Sequence, residues 1–447
     1  MVDGIWLFII FLVAILFIII MTAVVRMNAF YVLLITALGV GIAAGLPAEK
    51  ILEAIKEGFG NTMASIGIVI ICGTTIGVIL ERTGAAFSMA NFILKIVGTR
   101  LIPLVMSISG YIVGIPIFCD SGFVVLSTLN KALAERAKVS MSVMAVALGS
   151  ALYSVHCLIP PHPGATAAAG IVGEDLGRVM LLGLPVTLFP AAVGYIWAVT
   201  VGRKYFVPAE SEVRYEQLQE QYKKLPSPLH SFIPIILPVI LIATKSIILM
   251  PGISIGSGFF KNFVIFAGEP QLALLIGVFF SLTLVKSWNK NVLDKWLFDG
   301  VEKAGSILAI TAAGGVFGNI LKVTHIGDYI GGVLTNLHLG IFLPFLIASA
   351  LKTAQGSSTV AIITTAAIVA PMLHSLGLAA GWGPVLALLA MGSGSMVASH
   401  ANDSYFWVVS RFSNLDVPIA LKVYTTATIV MGITSMIVIF IISLILL

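Results

Sequence analysis

The chain has 447 residues, 59% of them hydrophobic and only 10% charged, with a mean hydropathy of +1.07. Soluble domains carry about 25% charged residues, so a soluble globular protein is excluded and the chain reads as an all-α polytopic membrane protein. The formal charge of +5 comes from loop lysines and arginines of the kind that set membrane orientation, which gives no basis for nucleic-acid binding.

Residues 4–25 carry no charge and form the first predicted span. The segment is too long for a signal-peptide core and lacks a cleavage site behind a basic region, so it is read as retained. Further spans are predicted at about 28–47 and 60–80. Residues 101–136 then hold two short apolar arms around Cys119–Gly122. Basic residues stand at both ends, Lys95 and Arg100 before and Lys131, Arg136 and Lys138 after. A segment that starts and ends on one side of the membrane is a re-entrant hairpin. A span at about 140–172 is broken at Pro160–Gly164, because proline withholds a backbone donor from the preceding helix. A span at about 176–202 leads to the one long hydrophilic stretch, 203–230, a mixed-charge cytoplasmic linker or a short surface helix ended by Pro226 and Pro228.

The second half repeats this order. Spans are predicted at about 231–250, 270–287 and 304–323, a hairpin at 340–376, a broken helix at 383–412 and a last span at 423–446. Gly73–Thr83 aligns with Gly314–Thr324, and Ala147–Ser150 with Ala390–Ser393, at similar separations in the two halves. An odd number of crossings per half makes residues 1–202 and 231–447 inverted repeats, with about ten spans and two hairpins in all. With both termini outside and the linker inside, most of the 25 lysines and arginines fall on the cytoplasmic side, as the positive-inside rule requires. The expected location is a membrane, with residues 203–230 on its cytoplasmic side.

Four polar motifs fall at membrane depth: GIPIFCDSG (Gly114–Gly122), PPHPG (Pro160–Gly164), TAQGSST (Thr353–Thr359) and SHAND (Ser399–Asp403). Paired interruptions of this sort gather polar backbone at the midplane of secondary transporters. Asp120 and Asp403 are acids inside apolar segments, where a charge normally faces a cavity, a partner or a pathway. Each could instead cap the helix that follows it. The helix starts after Pro163 and at Ser357–Thr359 would aim free N–H groups and a positive dipole end into the breaks, an arrangement suited to a carboxylate. Gly164, Thr166 and Gln355 belong to the same segments. His156, His162 and His400 lie in or beside the breaks, able to hydrogen-bond a substrate or to be satisfied core histidines. Lys352 reads as a substrate countercharge or a snorkelling side chain. Cys72, Cys119 and Cys157 lack metal-ligand spacing. No metal motif, nucleophile elbow or phosphate loop occurs, so an enzyme is not expected and a membrane-embedded enzyme is a remote alternative.

The chain resembles the gluconate:proton symporter family over essentially its full length. The resemblance rests on Gly114–Phe118, His156–Ala165 with Gly173–Gly177, Ile368–Met372, and Ser399–Asp403 with Phe406 and Trp407. Similar proteins belong to the ion-transporter superfamily. The resemblance implies inverted repeats, re-entrant hairpins, an elevator-like transport domain and homodimers. It also implies proton-coupled uptake of gluconate or a related small hydroxy acid. Some relatives carry D-serine or other sugar acids.

The expected site follows from both arguments. Ser121, Thr166, Ser357, Ser358 and Thr359 would hold the carboxylate and its hydroxyls, with Gly164 and Gln355 beside them. His156, His162, His400 and Asn402 would read the polyol, and Asp120 or Asp403 would carry the coupling proton. No cofactor is expected. Sodium coupling, or exchange of D-serine, glycerate or another sugar acid, stays open, because broken-helix carbonyls suit sodium as well.

Overall fold

A computed structural model describes residues 4–211, 215, 217, 220, 225–249, 258–286, 290–326 and 339–447. Much of the predicted linker, and the ends of the spans predicted to reach 250 and 287, lie outside the described residues. Among the described residues all regular structure is helical.

Helix α1 (Ile5–Ile19) and α2 (Ala29–Ala43) open the chain, followed by α3 (Ala48–Arg82). Its counterpart in the second half is α13 (Lys290–Val323), and the two long helices pack along each other. Lipid gives no hydrophobic drive between helices, so small residues that let backbones approach decide such contacts. A Cβ on Gly58 would stand 2.7 Å from the Gly315 carbonyl oxygen. Thr74 Oγ1 donates to the Gly300 carbonyl at 2.8 Å. Both helices are longer than expected. At 35 residues α3 extends ~52 Å, well beyond the ~30 Å hydrocarbon core. Its first turns are amphipathic, with Glu49, Lys50, Glu53, Lys56 and Glu57 exposed and Ile51, Ala54 and Gly58 buried. Hydropathy alone misses such turns because it averages over both faces.

The first hairpin is α5 (Ile102–Gly114) and α6 (Cys119–Ala137), and the first broken helix is α7 (Met141–Leu158) and α8 (Pro163–Val172). They are preceded by a short helix without a predicted counterpart, α4 (Ala85–Val97). The end of the linker docks on it, with Ser88 Oγ donating to the Pro226 carbonyl at 2.7 Å. Helix α9 (Leu176–Thr200) completes the half. The second half runs α10 (Pro228–Ile248), α11 (Phe259–Ala267), α12 (Pro270–Leu282) and α13. Then come a hairpin of α14 (Phe342–Gln355) and α15 (Ser358–Val369), a broken helix of α16 (Gly383–Met396) and α17 (Ser404–Phe412), and α18 (Val417–Leu446).

Among the described residues seven helical segments, the broken α7–α8 taken as one, are long and apolar enough to cross a membrane, and eight if α11 and α12, bent by 72°, make one span. The other two predicted crossings fall on α2 and on the α16–α17 pair, whose members are shorter. Helices α7, α8 and α16 are buried almost all round, as helices apolar on every face should be. The two broken helices therefore form the centre of the protein, while α1, α9 and α18 present exposed apolar residues at the periphery. At the end of α9 remote from the linker the repeats are tied by charge. Buried Lys245 of α10 places Nζ 3.9 Å from Asp175 Oδ2, and Ser246 Oγ donates to Asp175 Oδ1 at 2.7 Å.

Candidate functional site

The tips of both hairpins and the breaks of both helices meet around one cavity of about 220 Å³. Four helices begin at its wall: α6 at Cys119, α8 at Pro163, α15 at Ser358 and α17 at Ser404. Each leaves N–H groups without intrahelical partners and turns its positive dipole end toward the same space. Such termini hold anions without any fixed cation. The volume is below the ~300–1,000 Å³ of drug-sized pockets and suits a small solute.

Of the expected site residues, Asp120, His156, Ser357, Ser358, Thr359 and Asp403 line the cavity. The two acids differ in their surroundings. Asp403 caps α17 by accepting the Tyr405 N–H at 3.0 Å. Its other oxygen accepts from Lys352 Nζ at 2.8 Å and from Ser399 Oγ at 2.5 Å. Lys352 is fully buried and also donates to the Gly356 carbonyl at 2.6 Å. It therefore does not snorkel, and its charge is spent on Asp403. Asp120 sits in the first turn of α6 but makes no cap hydrogen bond there. Its Oδ1 is buried without a hydrogen-bond partner among the described residues.

The remaining expected residues do not line the cavity. His162 stands behind His156, with Nδ1 3.3 Å from His156 Nδ1 and Nε2 2.6 Å from the Gly114 carbonyl. Gly164 lets α8 approach α15, since a Cβ there would lie 2.8 Å from Ile362 Cδ1. Thr166 is buried one turn deeper in α8, and its Oγ1 has no partner among the described residues. Ser121 faces a separate narrow crevice toward Glu81 and Lys303. Gln355 bridges the second hairpin's own turn, donating to the Ser357 carbonyl at 2.6 Å and accepting its N–H at 3.0 Å. His400 and Asn402 are turned to the other side of that turn. Nε2 of His400 lies 3.1 Å from the Thr353 carbonyl, and Nδ2 of Asn402 donates to the same oxygen at 2.8 Å. These two side chains bond carbonyls that the end of α14 leaves free and, unlike His156, do not line the cavity. Gly356, with φ +90°, has the Asn402 backbone packed against it.

Sequence reasoning missed Tyr153, Tyr405, Ile307 and Ile310 in the cavity wall. Tyr153 was accessible to it, lying three residues before His156 and so on one helix face. Its ring stacks on Tyr405 at 5.3 Å between centroids. The isoleucines come from α13, and nothing in an apolar run marks which of its residues face a cavity.

On the far side of an apolar barrier, remote from the linker, lies a wider recess of about 710 Å³ with Asn61, Asn319 and Lys322 in its wall. The order is the same on two helices that bound both spaces. Along α8 the cavity touches Pro163, the barrier Ala167 and the recess Gly170. Along α15 and the residue that follows it they touch Ser358, Ile363 and Ala370. Ile66, Ile70 and Leu308 complete the barrier. Toward the linker, Phe118 lines both the cavity and the crevice at Ser121, of about 10 Å³.

Helical repeats, paired hairpins and broken helices around a shared polar cavity are the architecture of membrane transporters. The fold matches that of MtrF from Neisseria gonorrhoeae, with a TM-score of 0.64 at 16% identity over 95% of this chain and 94% of that one. The chain belongs to the GntP permease family, whose model matches residues 6–445. It is 35% identical to an uncharacterized permease of Haemophilus influenzae, over 88% of this chain and 82% of the relative. It is 32% identical to a gluconate permease of Zymomonas mobilis, over 98% of both chains. It is 31% identical to a D-serine transporter of Escherichia coli, over 97% of both. The protein is thus a multi-pass membrane permease and not an enzyme.

Proposed function

We propose that this permease imports gluconate, or a closely related small hydroxy monocarboxylate, together with protons across a bacterial inner membrane, with both termini outside. The observation that carries the reading is the convergence of four helix N-termini on a cavity in which, among the described residues, Asp120 is the carboxylate without a cation partner, its Oδ1 free and its Oδ2 met only by the Cys119 thiol. The substrate carboxylate takes the N–H groups of α15 and α17 together with the Ser357, Ser358 and Thr359 side chains. Asp120 repels it until protonated, so proton and substrate favour each other's binding. Asp403 does not serve as the coupling acid, because Lys352 already neutralises it. The apolar barrier at Ile66, Ile70, Leu308 and Ile363 closes the path to the recess and opens when the hairpins and broken helices move against α3 and α13.

A second reading is D-serine, favoured by the relative of that name and by an unpaired Asp120 that could hold an ammonium. The deciding experiment is uptake of labelled gluconate into proteoliposomes under an inward proton gradient without sodium. Accumulation abolished by a protonophore supports the first reading. Absent gluconate uptake with D-serine uptake replaces it with the second, and uptake that needs sodium refutes the proton coupling.

A further inference from the structure

His156 and His162 are both buried, at 8% and 1% exposure, and their hydrogen bonds fix each other's protons. A carbonyl oxygen can only accept, so His162 Nε2, 2.6 Å from the Gly114 oxygen, carries a hydrogen. A neutral imidazole has one N–H and one bare nitrogen, so His162 Nδ1 is an acceptor. The atom facing it, His156 Nδ1 at 3.3 Å, must then be the donor. His156 lines the cavity, and Nε2 is its remaining ring nitrogen. Among the described residues neither ring is hydrogen-bonded to a carboxylate, so no ion pair there disturbs this neutral arrangement. The His156 ring also lies nearly parallel to Tyr153, at 6.5 Å between centroids and 12° between planes, which limits its rotation.

We infer that His162 is a positioning residue that locks His156 as its Nδ1–H tautomer. The bare Nε2 of His156 is then a hydrogen-bond acceptor that selects substrates bringing a hydroxyl donor to that wall. This rests on the proposed uptake of a hydroxy acid and divides the labour within its site. Helix N-termini supply donors for the carboxylate, and His156 supplies the acceptor they lack. A ligand with the same carboxylate but no hydroxyl there leaves a buried acceptor unpaired, and sites built to hydrogen-bond a hydroxyl reject such analogues strongly.

Two measurements test it. The first needs no substrate: nitrogen NMR of 15N-histidine carrier in lipid bilayers, with His156 identified by its loss in H156L. The proton of His156 should reside on Nδ1, and in H162L it should no longer be confined there. A wild-type His156 protonated on Nε2 overturns the inference, whatever the carrier transports. The second compares inhibition of labelled gluconate uptake by gluconate and by its single-deoxy analogues. One analogue should compete about tenfold more weakly than gluconate in the wild type, a loss on the scale of one buried hydrogen bond. H156L should abolish that difference by raising KM for gluconate, and H156Q, whose amide oxygen can replace Nε2, should retain it. Equal discrimination in H156L and wild type refutes the role. Wild-type protein that ignores gluconate but shows the Nδ1 proton refutes the substrate and leaves the lock standing.

Discussion

Replacing Lys352 by Met would leave Asp403 charged, buried and without its cation. The side chains are 0% and 6% exposed and 2.8 Å apart, so solvent cannot stand in for the ammonium. Breaking a buried pair from one side costs about 3–5 kcal/mol, because the surviving charge is left uncompensated. K352M should therefore lower the apparent melting temperature of the purified carrier substantially, and D403N should do so in the same way by stranding Lys352. Asparagine still caps a helix, so D403N should keep the start of α17 intact. The double variant K352M/D403N carries neither charge. It should recover most of the loss, leaving a deficit of about 1 kcal/mol for the missing bond to the Gly356 carbonyl. The assay is chemical or thermal unfolding in one detergent, analysed as a double-mutant cycle. If each single variant costs less than about 1 kcal/mol, or the double variant loses the sum of the two, the pair is not a closed buried unit. If the folded double variant also loses proton-driven accumulation while exchanging substrate normally, Asp403 couples transport after all.

Other perturbations follow from the same geometry. D120N should abolish accumulation driven by a pH gradient yet spare exchange of preloaded substrate, measured by counterflow in proteoliposomes; normal accumulation would remove Asp120 from the coupling step. Gly356→Ala should destabilise the second hairpin by at least the ~1–3 kcal/mol that a strained backbone region costs, since φ is +90° and Asn402 closes the space a Cβ needs; an unchanged melting temperature would contradict the packing of that turn. Glu174 lies between α8 and α9, its side chain 8% exposed and its Oε1 2.7 Å from Arg178 Nη1. Burial pushes its carboxyl above the ordinary range, and Arg178 offsets that only in part. Its contribution to stability is therefore greatest at pH below the unfolded carboxylate range and declines as pH rises through the raised value. E174Q should flatten that part of the pH–stability curve, and an unchanged slope in E174Q would show that other groups produce it.

The hairpins and broken helices were legible because their signals are local. Pro160–Gly164, Gly356 and the apolar arms around them interrupt helices by backbone chemistry that neighbours in sequence determine. The inverted repeat and the identity of the polar motifs followed from the same order of segments. Short amphipathic α4 and the polar turns of α3 escaped, since a span is recognised by uniform apolarity and these segments have two faces. Within the motifs, residue type alone does not separate substrate groups from scaffolding. His400, Asn402 and Gln355 look as reactive in sequence as His156, yet they satisfy the backbone of the second hairpin. That assignment depends on how α14 approaches the break between α16 and α17, a tertiary contact. The same holds for the acids. The sequence by itself determined that two carboxylates lie at membrane depth beside helix starts. Only the tertiary structure decided that Lys352, 51 positions before Asp403, neutralises one and leaves Asp120 to the cavity. Burial makes each charge choose a partner, and folding decides which partners come within reach.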